Sequence, residues 1–535
     1  MRKSWMLAAA VTAAWTVTGA AAGEPHVVVT LRSIDETRDL VRTVLTSVAP
    51  EPYLQQFDAL WTNLLGDPAK PGLDPRKPLG LFVTLAEKAT DRPTVVGLAA
   101  VADRDALMDL LRRNNIAVGE ESNGVLPIQP AGGKQGFLRF VGGHVYYGER
   151  EGDLTGALPD PAELAAIAKS RWHRVVVRFD KFPAEWRKIA REKFAAEAAK
   201  PLELGKSQAE RALMEMFRPL YVEGVTALIN DARELSIDTD LDAAERSLTM
   251  AVSFAAVPQS PTAKWIAGLA PAPGLLGPPP EDAAWYANVR LPMPERVREA
   301  VPQLYAQMIL TGLEKQSDEG VRTRLGRLAK EAMAAVGSGA TESAAMLRSL
   351  GGGRMVAVGA GRIDDGRKLL EIAREAAKDL PADKGVIRFD VAEHKGTGLH
   401  QVRITARPEG TEGGDKFPRE GHFAVRGKEV LFAFGDDSAG VLRKLIDDCD
   451  TPKPAAPPWF LQYSLTGLMK LGDRDQNTWN KIAAEVFAGP DAGRDKVRVI
   501  VTGGAAMELK FEIHLALIKA GVKLFQSGLE IPAPR

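Results

Sequence analysis

A chain that repeats itself folds as at least two similar bodies, and this one repeats at a spacing of about 260 residues. Residues 27–41 (VVVTLRSIDETRDLV) match 285–301 (WYANVRLPMPERVREAV), with Leu31 on Leu291 and Val41 on Val301. Val96 to Leu111 match Ala357 to Ile372, each reading as a strand, an Asp (Asp103, Asp364) placed to cap a helix, then the helix. Residues 136–148 (GFLRFVGGHVYYG) align without a gap on 421–433 (GHFAVRGKEVLFA), two hairpins turning at Gly142-Gly143 and Gly427-Lys428. A Trp-led strand follows in both halves, Trp172 to Phe179 and Trp459 to Leu465. Each half closes with an alternating strand and a helix. Leu248, Met250, Val252 and Phe254 stand against Leu509, Phe511, Ile513 and Leu515, and the helices at 260–269 and 520–529 both end in Gly-Leu.

The matches keep one order, and the halves meet in a proline-rich stretch, PAPGLLGPPP. Proline removes backbone donors and resists helix or central strand, so this stretch reads as a linker. The expected organisation is a signal peptide over 1–22, a first unit over 23–270, a linker over 271–282 and a second unit over 283–535. Hairpins make antiparallel pairs, and Lys510, Glu512 and His514 alternate with apolar residues as on a sheet with one wet face. The expected fold class is α+β: two tandem pseudo-repeats, each a mainly antiparallel sheet with helices packed on one face. Ala-rich segments, Ala184 to Ala199 and Leu325 to Ser349, read as helices.

Arg2 and Lys3, an apolar run from Trp5 to Val17 and the small residues Ala20-Ala21-Ala22 form the three parts of a secretory signal. That run is short of the roughly 20 apolar residues a spanning helix needs, and no later segment is apolar enough to cross. The expectation is a periplasmic or secreted protein, cleaved near Ala22, with no transmembrane segment in the mature chain. Lys plus Arg and Asp plus Glu number 69 each, a balance that argues against nucleic acid as partner. The single cysteine, Cys449, precludes an intrachain disulfide, and its acidic surroundings (Asp447, Asp448, Asp450) argue against a reactive thiolate.

Motifs that resemble chemistry fail on their spacing. Gly359 and Gly361 begin a dinucleotide-type turn, but the third glycine, Gly366, comes two places late. Asp238, Asp240 and Asp242 are spaced like the opening of a calcium loop, yet Ala243 and Thr249 occupy the places of its glycine and glutamate. Ser438 lacks the glycine two places earlier that a nucleophile elbow requires, because Asp436 stands there. Seven histidines, at 26, 144, 173, 394, 400, 422 and 514, include no HExxH or H-x-H. His394, His400 and His422 flank neighbouring strands, and whether they converge on a metal is left open by the sequence. Trp172, Trp285, Trp459, Tyr146, Tyr147 and Tyr286 recur at strand positions, where core packing is the expected use and an apolar ligand groove the alternative.

The run ELSIDTDLDAAERSLTMAVSFAAVPQSPTAKWIAGL, its proline-rich break and the restart at AAWYANVRLPMP resemble exported bacterial proteins of a domain-of-unknown-function family with duplicated α+β units. The resemblance implies export and a non-catalytic default, and carries over no functional residue. The expected function is a non-enzymatic binding or scaffolding role toward a protein or a cell-envelope component, with no catalytic residue and no cofactor. The alternatives are a periplasmic carrier of an apolar ligand such as lipid, and a hydrolase with a dispersed site.

Overall fold

Alternating apolar residues become a sheet only when a partner strand takes up their backbone donors and acceptors, and among the described residues of each unit those partners are antiparallel neighbours. A computed structural model describes residues 24–49, 51–66, 68–169, 171–198, 218, 222–227, 229–242, 244–290, 292, 319–337, 342–351, 354–381, 385–405, 419–469 and 476–526. The expected signal peptide, 1–22, lies outside the described residues, as does most of the insert between 199 and 221. Contacts divide the chain into two units, with a break between Ala263 and Lys264. The fold is α+β with mostly antiparallel strands.

In the first unit the elements run β1 (Val27–Leu31), α1 (Ile34–Val48), α2 (Glu51–Leu65), β2 (Leu79–Thr84), β3 (Thr94–Ala100), α3 (Arg104–Arg113), β4 (Ile116–Val118), β5 (Val125–Pro130), β6 (Gly136–Val141) and β7 (His144–Gly148). They continue with α4 (Glu151–Thr155), α5 (Pro161–Ala168), β8 (His173–Arg178), α6 (Ala184–Ala198), β9 (Ala232–Asp242), β10 (Ser247–Ala256) and α7 (Pro261–Gly268), which straddles the break. Pairings set the strand order as β10-β9-β8-β1-β2-β3-β7-β6-β5-β4. The β6–β7 hairpin turns on Gly142 and Gly143, both at positive φ, a backbone that an L side chain rarely adopts.

The second unit contains β11 (Ala272–Pro273), β12 (Ala283–Arg290), α8 (Glu319–Val336), β13 (Glu342–Gly351), β14 (Arg354–Arg362), α9 (Gly366–Ala377), β15 (Gly385–His394), β16 (Thr397–Ile404), β17 (Glu420–Arg426) and β18 (Glu429–Gly435). After these come α10 (Ser438–Cys449), β19 (Ala455–Ala456), β20 (Trp459–Ser464), α11 (Leu465–Met469), α12 (Gln476–Val486), β21 (Lys496–Thr502), β22 (Met507–His514) and α13 (Leu515–Gln526). Its main sheet is ordered β22-β21-β20-β12-β13-β14-β18-β17-β16-β15. Taken position by position, this is the strand order of the first unit.

Helices cover both faces of each sheet, which corrects the expectation of one. In β7, Val145 packs under α3 with Leu107, Met108 and Leu110, whereas its neighbour Tyr146 packs on the opposite face with Leu154 of α4 and Leu164 of α5. Successive strand residues point to opposite faces, so an apolar pair side by side needs cover twice. In β17, Ala424 meets Leu442, Leu445 and Ile446 of α10, while the adjacent Val425 lies where a Cβ on Gly366 of α9 would stand 2.6 Å from it. The one-sided reading came from β22, where Lys510 and Glu512 form a half-buried ion pair at 2.5 Å.

Three further expectations need adjustment. Residues 271–282 are no free linker: β11 pairs with β19, and Leu275 and Leu276 are buried in the core of the second unit. The two leucines between the prolines supply the apolar area that docks the segment. Residues 342–349, read as the end of an Ala-rich helix, form strand β13 between β12 and β14, because ladder pairing outweighs a weak local propensity. The helix cap of the second unit is Asp365, which accepts from Lys368 N at 2.9 Å, and not Asp364 one place earlier; Asp103 caps α3 as expected, accepting from Ala106 N at 3.0 Å.

Asp103→Ala and Asp365→Ala are each expected to cost about 1 kcal/mol of stability in urea denaturation, the typical worth of such a cap. Gly366→Ala, whose Cβ would stand 2.5 Å from the backbone oxygen of Gly427, is expected to cost about 1–3 kcal/mol by the same measurement.

Candidate functional site

The three histidines that flank neighbouring strands do not meet. His400 pairs with Phe423 across β16–β17 and Gln401 pairs with His422, so His400 and His422 point to opposite faces. His394 shares the face of His422 but bonds the other end of α10: His394 Nε2 lies 2.9 Å from Asp447 Oδ1, and His422 Nδ1 lies 2.9 Å from Ser438 Oγ. Among the described residues no group of three His, Cys, Asp or Glu side chains is placed to hold a metal ion.

The buried histidines serve instead as backbone staples. His400 is 2 % exposed, packed at a tilt between Phe389 and Phe423, and its Nδ1 accepts the amide of Asp390 at 3.0 Å. Asp390 sits in the bulge of β15 at φ 53° and takes the guanidinium of Arg374 at 2.6 Å. His26 does the same in the first unit, where Nδ1 accepts from Leu85 N at 2.9 Å and Nε2 faces Lys181 O at 2.8 Å. Burial pushes His26, His173, His400 and His422 all below the usual imidazole range.

Ser438 and His422 form the pair closest in appearance to a nucleophile and its base. Ser438 begins α10 after Asp437, which is left-handed at φ 54°, and both members of the pair are buried. Hydrogen bonding spends the hydroxyl on His422, and among the described residues no carboxylate hydrogen-bonds the imidazole to orient it as a triad requires. Gly359 and Gly366 serve packing, since a Cβ on Gly359 would meet the Phe432 ring and one on Gly366 the strand below it, whereas a Cβ on Gly361 would meet open space. Asp238 and Asp240 are strand residues facing Arg171 and Arg174, with Arg174 Nε 3.3 Å from Asp238, and Asp242 Oδ1 accepts the amides of Ala244 and Glu245. Burial raises the Cys449 thiol, in keeping with an inert side chain.

The strand tyrosines Tyr146, Tyr147 and Tyr286 are spent in the cores, while Trp172, Trp285 and Trp459 are half-buried. Tyr286 is 2 % exposed, donates to Gly277 O at 2.9 Å and has its phenol pushed up to about 12 by burial. Tyr146 donates to Pro159 O, and Trp172 Nε1 to Thr37 Oγ1 at 3.0 Å.

A cavity of about 720 Å³ lies in the second unit where β20 runs into α11 and where the turn before β21 comes back beside it. Its wall includes Glu281, Ser464, Thr466, Asn480, Phe487 and Asp495. Asp495 is 4 % exposed, and its Oδ2 accepts from Ser464 Oγ at 2.5 Å, from Thr466 N at 3.0 Å and from Thr466 Oγ1. Its carbonyl accepts from Leu465 N at 2.9 Å, and Gly467 N donates to Ser464 Oγ at 2.9 Å. Asp495 therefore ties the start of α11 to the head of β21, and it fixes the two hydroxyls at the cavity wall. Sequence reasoning missed this site because its members come from four separate segments and carry no shared spacing.

No family model matches the chain, and no curated protein does. A solved structure described as "Structure of crystal form I of TP0453" is similar over 45 % of this chain and 79 % of that one, at 8 % identity and a TM-score of 0.20, too low a likeness to carry an argument.

Each buried histidine is held neutral, so the unfolded chain binds more protons than the folded one below the free imidazole value near 6.5. Stability is expected to be full above that value and to fall as the pH drops below it. Urea midpoints measured from pH 7.5 to 5.0 check this, and His26→Gln with His400→Gln is expected to flatten the fall.

Proposed function

We propose that the protein is an exported, non-enzymatic binding protein built by duplication of one α+β unit, and that it engages a cell-envelope component or a protein partner through features the two copies do not share. The observation that carries this reading is the common strand order of the two units combined with unlike polar groups at corresponding places. The β17 histidine that bonds Ser438 stands where β6 has Phe137, and β20 ends on Ser464 where β8 ends on Arg178. A duplicated enzyme would be expected to keep its polar cluster in at least one copy as an accessible set. Here Ser438 and His422 are closed off in a core.

The carrier alternative has less on its side. A carrier needs an apolar chamber, whereas Tyr146 packs with Leu154 of α4 and Leu164 of α5, Tyr286 packs with the leucines of α10, and both donate to backbone oxygens. The polar wall around Asp495 is better suited to hydrogen-bonding a ligand than to holding an acyl chain.

Native mass spectrometry of the protein purified from its own compartment is expected to give a chain beginning near Gly23 that retains a protein or envelope-derived mass. A chain beginning at Met1 would remove the export reading. A bound lipid would move the function to the carrier, and a bare chain at every concentration tested would sink the binding reading.

A further inference from the structure

We propose that the cavity beside Asp495 is a carbohydrate site, sized for one or two sugar rings. The inference rests on the binding reading above and names the class of ligand. A sugar ring offers neighbouring hydroxyls, each both donor and acceptor, around a ring whose C–H face is apolar. A site for it needs fixed polar groups that complement those hydroxyls, a small apolar surface, and walls already held in place.

The cavity has each of these. At about 720 Å³ it falls within the range of roughly 300–1,000 Å³ typical of small-molecule sites. Glu281 and Asp495 supply carboxylates, Asn480 an amide, and Ser464 and Thr466 hydroxyls, while Phe487 supplies the apolar patch. The Asp495 side chain is buried and its Oδ2 is occupied by Ser464 and Thr466, so the polar wall is set by bonds within the protein before any ligand arrives. Preorganisation of this kind spares the ligand the cost of ordering the site.

The charges narrow the choice. Two carboxylates stand against one lysine, Lys496, which disfavours phosphate or sulfate esters. An acyl chain offers the exposed Glu281 carboxylate and Asn480 amide no hydrogen bond in exchange for water, at about 1–3 kcal/mol for each group so desolvated. Neutral and amino sugars meet neither penalty.

The test uses the full mature chain and calorimetric titration with cellobiose and chitobiose, and with glucuronate, dialanine and dodecanoate as comparators. One of the two neutral disaccharides is expected to bind, and Asn480→Ala and Glu281→Gln are each expected to weaken it by about tenfold, the worth of a lost hydrogen bond to a charged or buried group. Both substituted side chains are exposed, so the urea midpoint should not move. Binding of neither disaccharide, or binding that ignores both substitutions, overturns the carbohydrate site. Preferential binding of dialanine or dodecanoate also overturns it. If titration fails while native mass spectrometry still shows a retained partner, the sugar inference falls and the binding reading stands.

Discussion

Strands that are apolar on both faces govern this architecture. Val145 beside Tyr146, and Ala424 beside Val425, leave no orientation of β7 or β17 that puts one side in water at little cost. Each such strand demands a helix above and another below. The connections answer it: α3 follows β3 and crosses one face, and α4 follows β7 and lies on the other. In the second unit α9 and α10 divide the faces in the same way. Toward one end of each sheet charged pairs stand on the strands in place of apolar ones, Arg174 facing Asp238 and Arg498 facing Glu512.

Burying a sheet on both faces leaves little room for the irregular backbone that joins its strands, and polar side chains fill that need. His26 and His400 each use a ring nitrogen as acceptor for an amide that the ladder does not reach. Asp495 does the corresponding work at the head of β21 with its carboxylate and carbonyl together. Residue types that suggest catalysis in a sequence are here the means by which bulges and corners are satisfied. The imidazole works as an acceptor only while neutral, which links these corners to pH.

What the sequence discloses follows the range of the interaction involved. The hairpins at Gly142-Gly143 and Gly427 are readable because a two-residue turn is decided by the turn itself. The cap at Asp103 is readable for the same reason, whereas Asp364 and Asp365 both suit a cap and only the path of the chain from β14 selects the second. Strand β13 is hidden, since alanines at 344 and 345 favour helix until β12 and β14 flank them. The histidines show the limit most clearly. Their placement on neighbouring strands is legible, but the register that pairs Gln401 with His422 decides which face each ring takes, and no local pattern encodes it.

Divergence at corresponding positions then separates scaffold from purpose. A strand order common to both units constrains only apolar residues and turn glycines, and those are the residues that match in the sequence: Val145 with Val430, Gly142 with Gly427. Polar groups face no such constraint from the ladder, so a buried carboxylate at a strand head is retained only if its own hydrogen bonds offset its desolvation. Asp495 meets that condition through Ser464, Thr466 and the amide of residue 466. Where β8 ends, Arg178 instead pairs with Glu163 at 2.7 Å and reaches the carbonyl of Pro25, so the same strand end is filled by an ion pair. One fold therefore offers a closed corner in one unit and a polar cavity in the other, and the cavity is where a ligand can add hydrogen bonds that the sheet has not already used.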